Sequence, residues 1–308
     1  MNANFSNGGA SKKSGTGATS NGGVSIVIPV YNEAESLPGF IEELSAFLRD
    51  YPRPFEAIFV DDGSSDDTPL ILEKGPFPFL RREENLGYGA AIKTGIENTG
   101  YESIAIIDAD GSYPPEEIAA VVERLDGCAM AVGARTGDDV HIPWQRRPAK
   151  RLIGLFASWL VRRSIPDLNS GLRAFQRREV EKIVRLLPDG FSLTTTLTVA
   201  FLASGRRVYY HPIRYRKRSG RSKFRPFADT WNMILLILRT VVLIRPLNVF
   251  LPLSLFLAAL AIAVLVVSKV FLDRFMDATF IVLMTSSIQM FVLGLIADLI
   301  VRINLWTH

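Results

Sequence analysis

Two carboxylates one residue apart, Asp108 and Asp110, follow directly on the apolar run 103–107 (SIAII). Alternate residues of a strand face the same way, and where the chain turns at a strand end two carboxylates can converge on one hard cation. Such a pair would hold Mg2+ or Mn2+ against a diphosphate; the other reading is a pair of solvated turn acids. Two earlier apolar runs end in comparable fashion. Residues 24–30, with Pro29 inside, are followed by Tyr31-Asn32-Glu33, and residues 55–60 by Asp61-Asp62-Gly63-Ser64-Ser65. Each is also a serviceable turn, because Asn32 and Ser65 are good helix caps. A carboxylate at such a strand end can accept a hydrogen bond from a base N–H or a ribose hydroxyl. Residues 85–91 (NLGYGAA) open the next helix with small side chains that let the backbone approach a ligand. They do not form GxGxxG, and no Walker lysine pattern occurs, so the dinucleotide and P-loop readings fail. Seven of the twelve residues 214–225 are Lys or Arg. Guanidinium forks bind phosphate oxygens, although a polybasic stretch lying on anionic lipid has the same composition.

These groups need a scaffold, and the apolar pattern supplies one. The runs 24–30, 55–60, 103–107 and 128–132 are short, β-rich and without alternation, as in strands buried on both faces of a parallel sheet. Residues 33–49, 88–99 and 115–125 read as helices between them. This alternation predicts an α/β, doubly wound, mostly parallel sheet whose ligands sit beyond the carboxyl ends of the strands. Residues 147–163 carry a stripe of Leu152, Leu155, Phe156, Trp159 and Leu160 flanked by Arg147, Lys150, Arg151, Arg162 and Arg163. Such a helix can rest on a membrane or pack its stripe onto the sheet.

The C-terminal part changes character. Residues 249–268 are 20 without a charge and residues 279–297 are 19 more. Each is long enough to cross a bilayer core as a helix, two buried helices of a soluble domain being the alternative. A mean hydropathy of +0.20 agrees with membrane segments. Arg239, Arg245 and Arg302 flank the spans, whereas Lys269 and Arg274 in the connection are balanced by Asp273 and Asp277. The basic bias predicts two transmembrane helices with the catalytic part and the C-terminus in the cytoplasm. Residues 227–244 read as a helix lying in the interface. Residues 1–23 are Gly/Ser/Asn-rich, read as a flexible tail, and offer no apolar core for a cleavable signal peptide.

The net charge of +4 conceals a division. Residues 24–134 hold 7 Lys/Arg against 21 Asp/Glu, and residues 135–225 hold 21 against 6. The acidic part suits a divalent metal, and the basic part suits phosphate or an anionic membrane surface. No nucleic-acid recognition motif accompanies the basic part, so no nucleic-acid partner is expected. The single cysteine, Cys128, excludes an internal disulfide framework and a cysteine-based zinc site.

In order, PVYNE, VDDGSSDDT, NLGYGAAIKTG, DADGSYPPE, GAR, DLNSGLRAF and RSGRSKF resemble the motifs of the family 2 (GT-A) glycosyltransferases. The resemblance covers residues 24–227 and is closest to the polyprenyl-phosphate branch, which includes dolichol-phosphate mannosyltransferases and undecaprenyl-phosphate glucosyltransferases. It implies a GT-A catalytic domain over residues 24–225, an interfacial region over 226–248 and a transmembrane hairpin over 249–308, with spans at about 249–268 and 279–301. It also implies transfer, with inversion, of a single hexose from a nucleotide diphosphate sugar of the UDP-glucose or GDP-mannose type. The acceptor would be undecaprenyl or dolichyl phosphate at the cytoplasmic membrane face, and Mg2+ or Mn2+ the cofactor. Pro29, Tyr31, Asn32, Glu33, Val60, Asp61, Asp62 and Lys93 would serve the nucleotide sugar. Asp108 and Asp110 would hold metal and diphosphate, with Ser112 where many relatives carry a glutamine ligand. Arg135, Arg147, Arg151, Ser170, Arg173, Arg218, Ser222 and Lys223 would face the acceptor phosphate.

A phosphate acceptor simplifies the catalytic requirement. An alcohol needs a general base, whereas a phosphate monoester with a second pKa near ~6 is already mostly dianionic at pH 7. The catalytic set is then Asp108, Asp110 and Arg135, with Asp167 as the best helper carboxylate or else an ordinary turn residue. Two other functions compete: a family 2 enzyme acting on a hydroxyl acceptor in a glycolipid or polysaccharide, and a catalytically silent subunit that binds sugar nucleotide. The oligomeric state is left open.

Overall fold

The computed structural model describes residues 22–136, 147–216, 226–271 and 277–306. An interior strand of its sheet is β1 (Val24–Val30), whose seven residues are all buried. Strand β1 pairs in parallel with β2 (Phe55–Asp61) on one side and β4 (Ser103–Ile106) on the other. A seven-stranded sheet results, in the order β3-β2-β1-β4-β6-β5-β7. The short β3 (Phe79–Arg81) runs parallel to β2, and β6 (Arg173–Gln176) runs antiparallel between β4 and β5 (Met130–Ala134). The last strand, β7 (Val208–Pro212), runs parallel to β5. The α/β, mostly parallel sheet predicted from the apolar runs is the one observed. The fourth run is displaced: residues 128–132 were expected, and the strand is Met130–Ala134.

Successive residues of a strand point to opposite faces, so the sheet has two apolar layers. On one face Ile26, Ile28 and Val30 pack with Leu37, Phe40, Leu44 and Leu48 of α1 (Leu37–Arg49) and with Ile118, Val121 and Val122 of α4 (Glu117–Glu123). Helix α2 (Thr68–Lys74) adds Leu72 there. On the other face Val27, Ile58 and Ile106 meet Ala91, Ile92 and Ile96 of α3 (Tyr88–Glu97). Beyond α5 (Arg147–Val161) and a short α6 (Arg177–Glu181), α7 (Leu193–Ala203) is buried at every position. It therefore shows no one-sided stripe, and its four threonines disguise it further in the sequence.

A third apolar cluster joins α5, α7 and α8 (Pro226–Ile244) through Ile153, Ala157, Leu160, Val199, Leu202, Ile237 and Val241. Leu152, Leu155 and Trp159 stay exposed on α5, as do Trp231, Leu235 and Leu243 on α8. Three of the five α5 stripe residues are thus exposed, while Leu160 is buried in the cluster with α7 and α8. Helix α5 stops at Val161 because Arg162 turns left-handed, at φ 55°. Helix α8 leads through Pro246 into α9 (Leu247–Phe271), which packs along α10 (Asp277–Trp306). Leu247–Val270 and Ala278–Ile303 are long and apolar enough to cross a membrane. At mid-hairpin Ser254 and Ser287 each donate to the other's carbonyl oxygen, at 3.0 and 2.9 Å, which keeps both hydroxyls satisfied among apolar side chains.

Candidate active site

Because β1, β2, β4 and β5 run in one direction, their carboxyl ends bring residues 31–33, 61–62, 108–110 and 135 to one edge. The loops there are stitched together by the polar residues of the motifs. Asn32 sits left-handed at φ 52°, donates its N–H to Ser64 Oγ at 2.9 Å and accepts the Ser65 N–H on Oδ1 at 2.8 Å. The Glu33 N–H reaches Thr68 Oγ1 at 2.9 Å, and its carboxylate accepts from Ser36 Oγ at 2.8 Å at the start of α1. Pro29 and Val60 are buried strand residues, and the Tyr31 side chain is exposed beyond β1.

The two aspartates at the carboxyl end of β2 face inward. Asp61 is fully buried and accepts the Ser64 N–H at 3.0 Å, with Arg81 Nε 3.5 Å from its other oxygen. Asp62 accepts the N–H groups of Leu86 and Gly87 at 3.2 and 2.7 Å. Burial pushes its pKa up, and those two N–H bonds and nearby Arg82 only partly oppose this. The Asp62 carboxylate thereby fixes the turn that opens α3. Lys93 reaches Asp189 Oδ1 at 2.9 Å and the Leu187 carbonyl oxygen.

Asp108 is held from two sides. Tyr88 donates its O–H to Asp108 Oδ1 at 2.7 Å, and burial together with the Asp108 charge keeps that phenol protonated by raising its pKa well above the ordinary value. On the other side lies Gly171, where a Cβ would stand 1.9 Å from Asp108 Oδ2. The Gly171 N–H donates to Tyr113 Oη at 2.7 Å. Asp110 is nearly buried, and its Oδ1 accepts from both the N–H and the hydroxyl of Ser112, at 3.0 and 2.5 Å. Ser112 is fully buried and supports Asp110 through these two bonds. Among the described residues no group of three or more His, Cys, Asp or Glu side chains could hold a metal ion. Two hard carboxylates do fit Mg2+ or Mn2+ when substrate phosphate oxygens and water complete the shell, which is how such ions are commonly bound.

Arg135 and Asp167 form a fork, Nε to Oδ2 at 2.7 Å and Nη2 to Oδ1 at 2.8 Å, and the Arg135 N–H adds a third bond at 3.0 Å. The Arg135 guanidinium lies 5.3 Å from the centre of the Tyr215 ring. Burial works against its charge, but the Asp167 carboxylate more than offsets this and raises the Arg135 pKa. Asp167 is almost wholly buried and gives both carboxylate oxygens to Arg135. Ser170 and Arg173, expected at the acceptor phosphate, are fully buried. Ser170 Oγ donates to the Gly133 carbonyl at 2.5 Å. The Arg173 guanidinium bonds the Ser170 and Thr194 carbonyls and Thr198 Oγ1, so it braces the turn under Asp108 and reaches no surface. Burial lowers its pKa.

Of the remaining basic candidates, Arg147 opens α5 and Arg151 is exposed on it. Arg218, Ser222 and Lys223 lie outside the described residues. Two members of the basic run are paired to acids: Arg214 with Glu116 and Glu117, at 2.6 and 2.9 Å, and Arg216 with Glu43 at 2.7 Å. The Arg216 N–H also donates to the Ser112 carbonyl at 2.9 Å, which docks this segment against the acidic turn. Tyr88, Tyr113, Gly171 and Tyr215 were not singled out from the sequence. The first three lie inside the quoted motifs, which were read for their charges rather than for the rings and the missing side chain between them.

Residues 25–184, more than half of the chain, match the family described as Glycosyl transferase family 2. The chain belongs to glycosyl transferase family 2. Residues 245–303, the bulk of α9 and α10, match a second family, the GtrB C-terminal hairpin. Undecaprenyl-phosphate 4-deoxy-4-formamido-L-arabinose transferase of Pseudomonas syringae pv. syringae (strain B728a) is 34% identical over 188 residues, 56% of this chain and 56% of its own. The protein of the same name from Yersinia enterocolitica serotype O:8 is 35% identical over 170 residues, 52% and 51% of the two chains. The chain thus spans about half the length of the curated relatives it matches. Among solved structures, glucosyl-3-phosphoglycerate synthase from Mycobacterium tuberculosis in complex with UDP superposes with a TM-score of 0.56 at 19% identity, over 72% of this chain and 81% of that one. The same synthase with Mn2+, UDP-glucose and phosphoglyceric acid gives 0.54 at 19% identity, over 73% and 80%. For a glycosyl transferase family 2 chain, this likeness establishes the fold.

Proposed function

We propose that this protein transfers one sugar from a nucleotide diphosphate sugar to a polyprenyl phosphate, of the undecaprenyl type, where the cytoplasm meets the membrane. The observation that carries the reading is one juxtaposition. The Asp108/Asp110 turn and the oriented Arg135 share a sheet edge, in a chain whose α8 runs directly into two helices long and apolar enough to cross a bilayer. The names of the relatives, which specify undecaprenyl phosphate, and the UDP complexes of the structural neighbours support the choice of substrates. The domain division follows the same reading: residues 24–225 catalytic, 226–248 interfacial, 249–308 the hairpin. The exposed apolar faces of α5 and α8 would rest in the interface, and the Arg239, Arg245 and Arg302 bias would keep the catalytic part cytoplasmic.

Asp108 and Asp110 would hold Mg2+ or Mn2+, with Ser112 fixing the orientation of Asp110. When bound, the ion supplies positive charge for the departing nucleoside diphosphate. Arg135, its fork to Asp167 setting the guanidinium plane, adds fixed positive charge at the same edge. The acceptor phosphate attacks the anomeric carbon in line as its dianion, so no side chain needs to take a proton. This agrees with Asp167 being committed to Arg135. Arg218, Ser222 and Lys223 are proposed, from sequence, to contact the acceptor phosphate.

The test is a donor panel offered to purified protein in detergent with undecaprenyl phosphate or undecaprenol. It comprises UDP-glucose, UDP-N-acetylglucosamine, UDP-galactose, GDP-mannose and the UDP form of 4-deoxy-4-formamido-L-arabinose, each with Mg2+ or Mn2+. Sugar loaded onto the phosphate and not onto the alcohol is expected. Transfer to the alcohol, or to neither, would overturn the proposal.

A further inference from the structure

Phe191 lies outside every motif that carries the family resemblance, yet its ring is 77% exposed at the active edge. One face of it stacks on Tyr88, with centroids 5.4 Å apart and planes 5° from parallel. Tyr88 in turn donates to Asp108 Oδ1 at 2.7 Å, so two rings and a carboxylate stand in series. The turn bearing Phe191 is fastened to α3 independently of that stack. The Ala90 N–H donates to the Asp189 carbonyl at 3.0 Å, and Lys93 pairs with the Asp189 carboxylate at 2.9 Å. At Gly87, with φ 109°, a Cβ would lie 2.6 Å from the Asp189 carbonyl oxygen, so only glycine lets the two backbones meet this closely.

We infer that Tyr88 is a positioning residue for Asp108, and that Phe191 is the brace that fixes the plane of the Tyr88 ring. A carboxylate on a two-torsion side chain loses rotational freedom when it captures a cation. An O–H donor held in a fixed direction removes that freedom beforehand, and outer-shell donors of this kind typically change metal affinity or activity by 10–100-fold. The direction is fixed only if the phenol ring cannot swing about its own torsions. The 188–191 turn prevents that from one side, and Gly171 confines the carboxylate from the other. This inference rests on the proposed role of Asp108 at the metal and diphosphate.

The test uses the full chain in detergent with UDP and titrates Mn2+, read by the loss of the free Mn2+ EPR signal. Tyr88→Phe, which removes only the hydroxyl, is expected to weaken Mn2+ binding about 10-fold. Its transfer rate should recover when Mn2+ is raised to saturation. Phe191→Ala should weaken Mn2+ binding severalfold, and Phe191→Tyr, which restores a stacking ring, should regain the affinity. Since Phe191 is exposed, this second pair reports even if Tyr88→Phe fails to fold. Unchanged Mn2+ affinity in both Tyr88→Phe and Phe191→Ala, or a loss of transfer that saturating Mn2+ does not repair, would overturn the inference alone. Absence of UDP-dependent Mn2+ binding by the unaltered protein would overturn the metal reading, and the inference with it.

Discussion

Replacing Gly171 with alanine would place a methyl group where the Asp108 carboxylate now sits. The added Cβ would lie 1.9 Å from Oδ2, 2.4 Å from Cγ and 2.8 Å from Oδ1. All three atoms belong to one side chain, and the Gly171 backbone is not left-handed, so the clash is relieved by turning Asp108 rather than by moving the sheet. Restoring a normal non-bonded separation requires the carboxylate to move about 1.5 Å, when a misplacement of only ~1 Å can cost ~100-fold in rate at reacting groups. The same movement breaks the Tyr88 bond, a charge-assisted hydrogen bond of about 1.5–3 kcal/mol. Gly171→Ala should therefore stay folded, lose about 2 kcal/mol of stability and transfer sugar roughly 100-fold more slowly at saturating donor. Transfer of radiolabelled sugar to undecaprenyl phosphate, alongside a denaturation curve, measures both. Transfer within about threefold of the unaltered protein would refute the argument that the position of Asp108 limits the reaction. Complete unfolding would refute the argument that only a side chain is displaced.

Asp110→Asn keeps an oxygen for the two Ser112 donors, so the fold should persist while transfer falls by at least ~100-fold, measured at several Mn2+ concentrations. Arg135→Lys loses both the fork to Asp167 and the stack on Tyr215. Losing one bond of the fork should cost about 1.5–3 kcal/mol in a denaturant titration and raise the lipid phosphate needed for half-maximal transfer more than the donor. Acid stability offers a further check at Asp66. Burial raises its pKa, but the Thr68 hydroxyl, the Thr68 N–H and the Ala34 N–H outweigh that and lower it below 3.8. A lowered carboxylate stabilises the fold above its unfolded pKa, and that stability is lost as pH falls through the folded value. Asp66→Asn should thus flatten the loss of stability below about pH 4 in an acid titration, and an unaltered slope would contradict the assignment.

Much of the architecture was legible because it is written in local patterns. Residues 24–30 are seven apolar or small residues with no alternation, and they became an interior strand with the expected limits. The spans expected at 249–268 and 279–301 fall inside α9 and α10, since unbroken apolar length is a property of the chain itself. Strand β6 escaped notice because its four residues, Arg173–Gln176, begin and end with polar side chains. It is a strand only because β4 and β5 flank it.

The order of side chains along the backbone settled which edge would carry the acids, since strand ends and charges are neighbours in sequence. It could not settle which polar groups remain turned toward a ligand, because that depends on partners far away along the chain. Asp62 accepts N–H groups 24 and 25 residues on, Asp167 is committed to a guanidinium 32 residues back, and Arg173 to a hydroxyl 25 residues on. A buried polar group must find a partner wherever packing places one. That requirement, met only in the folded molecule, divided the motif residues between those that hold the site in shape and those left to do its chemistry.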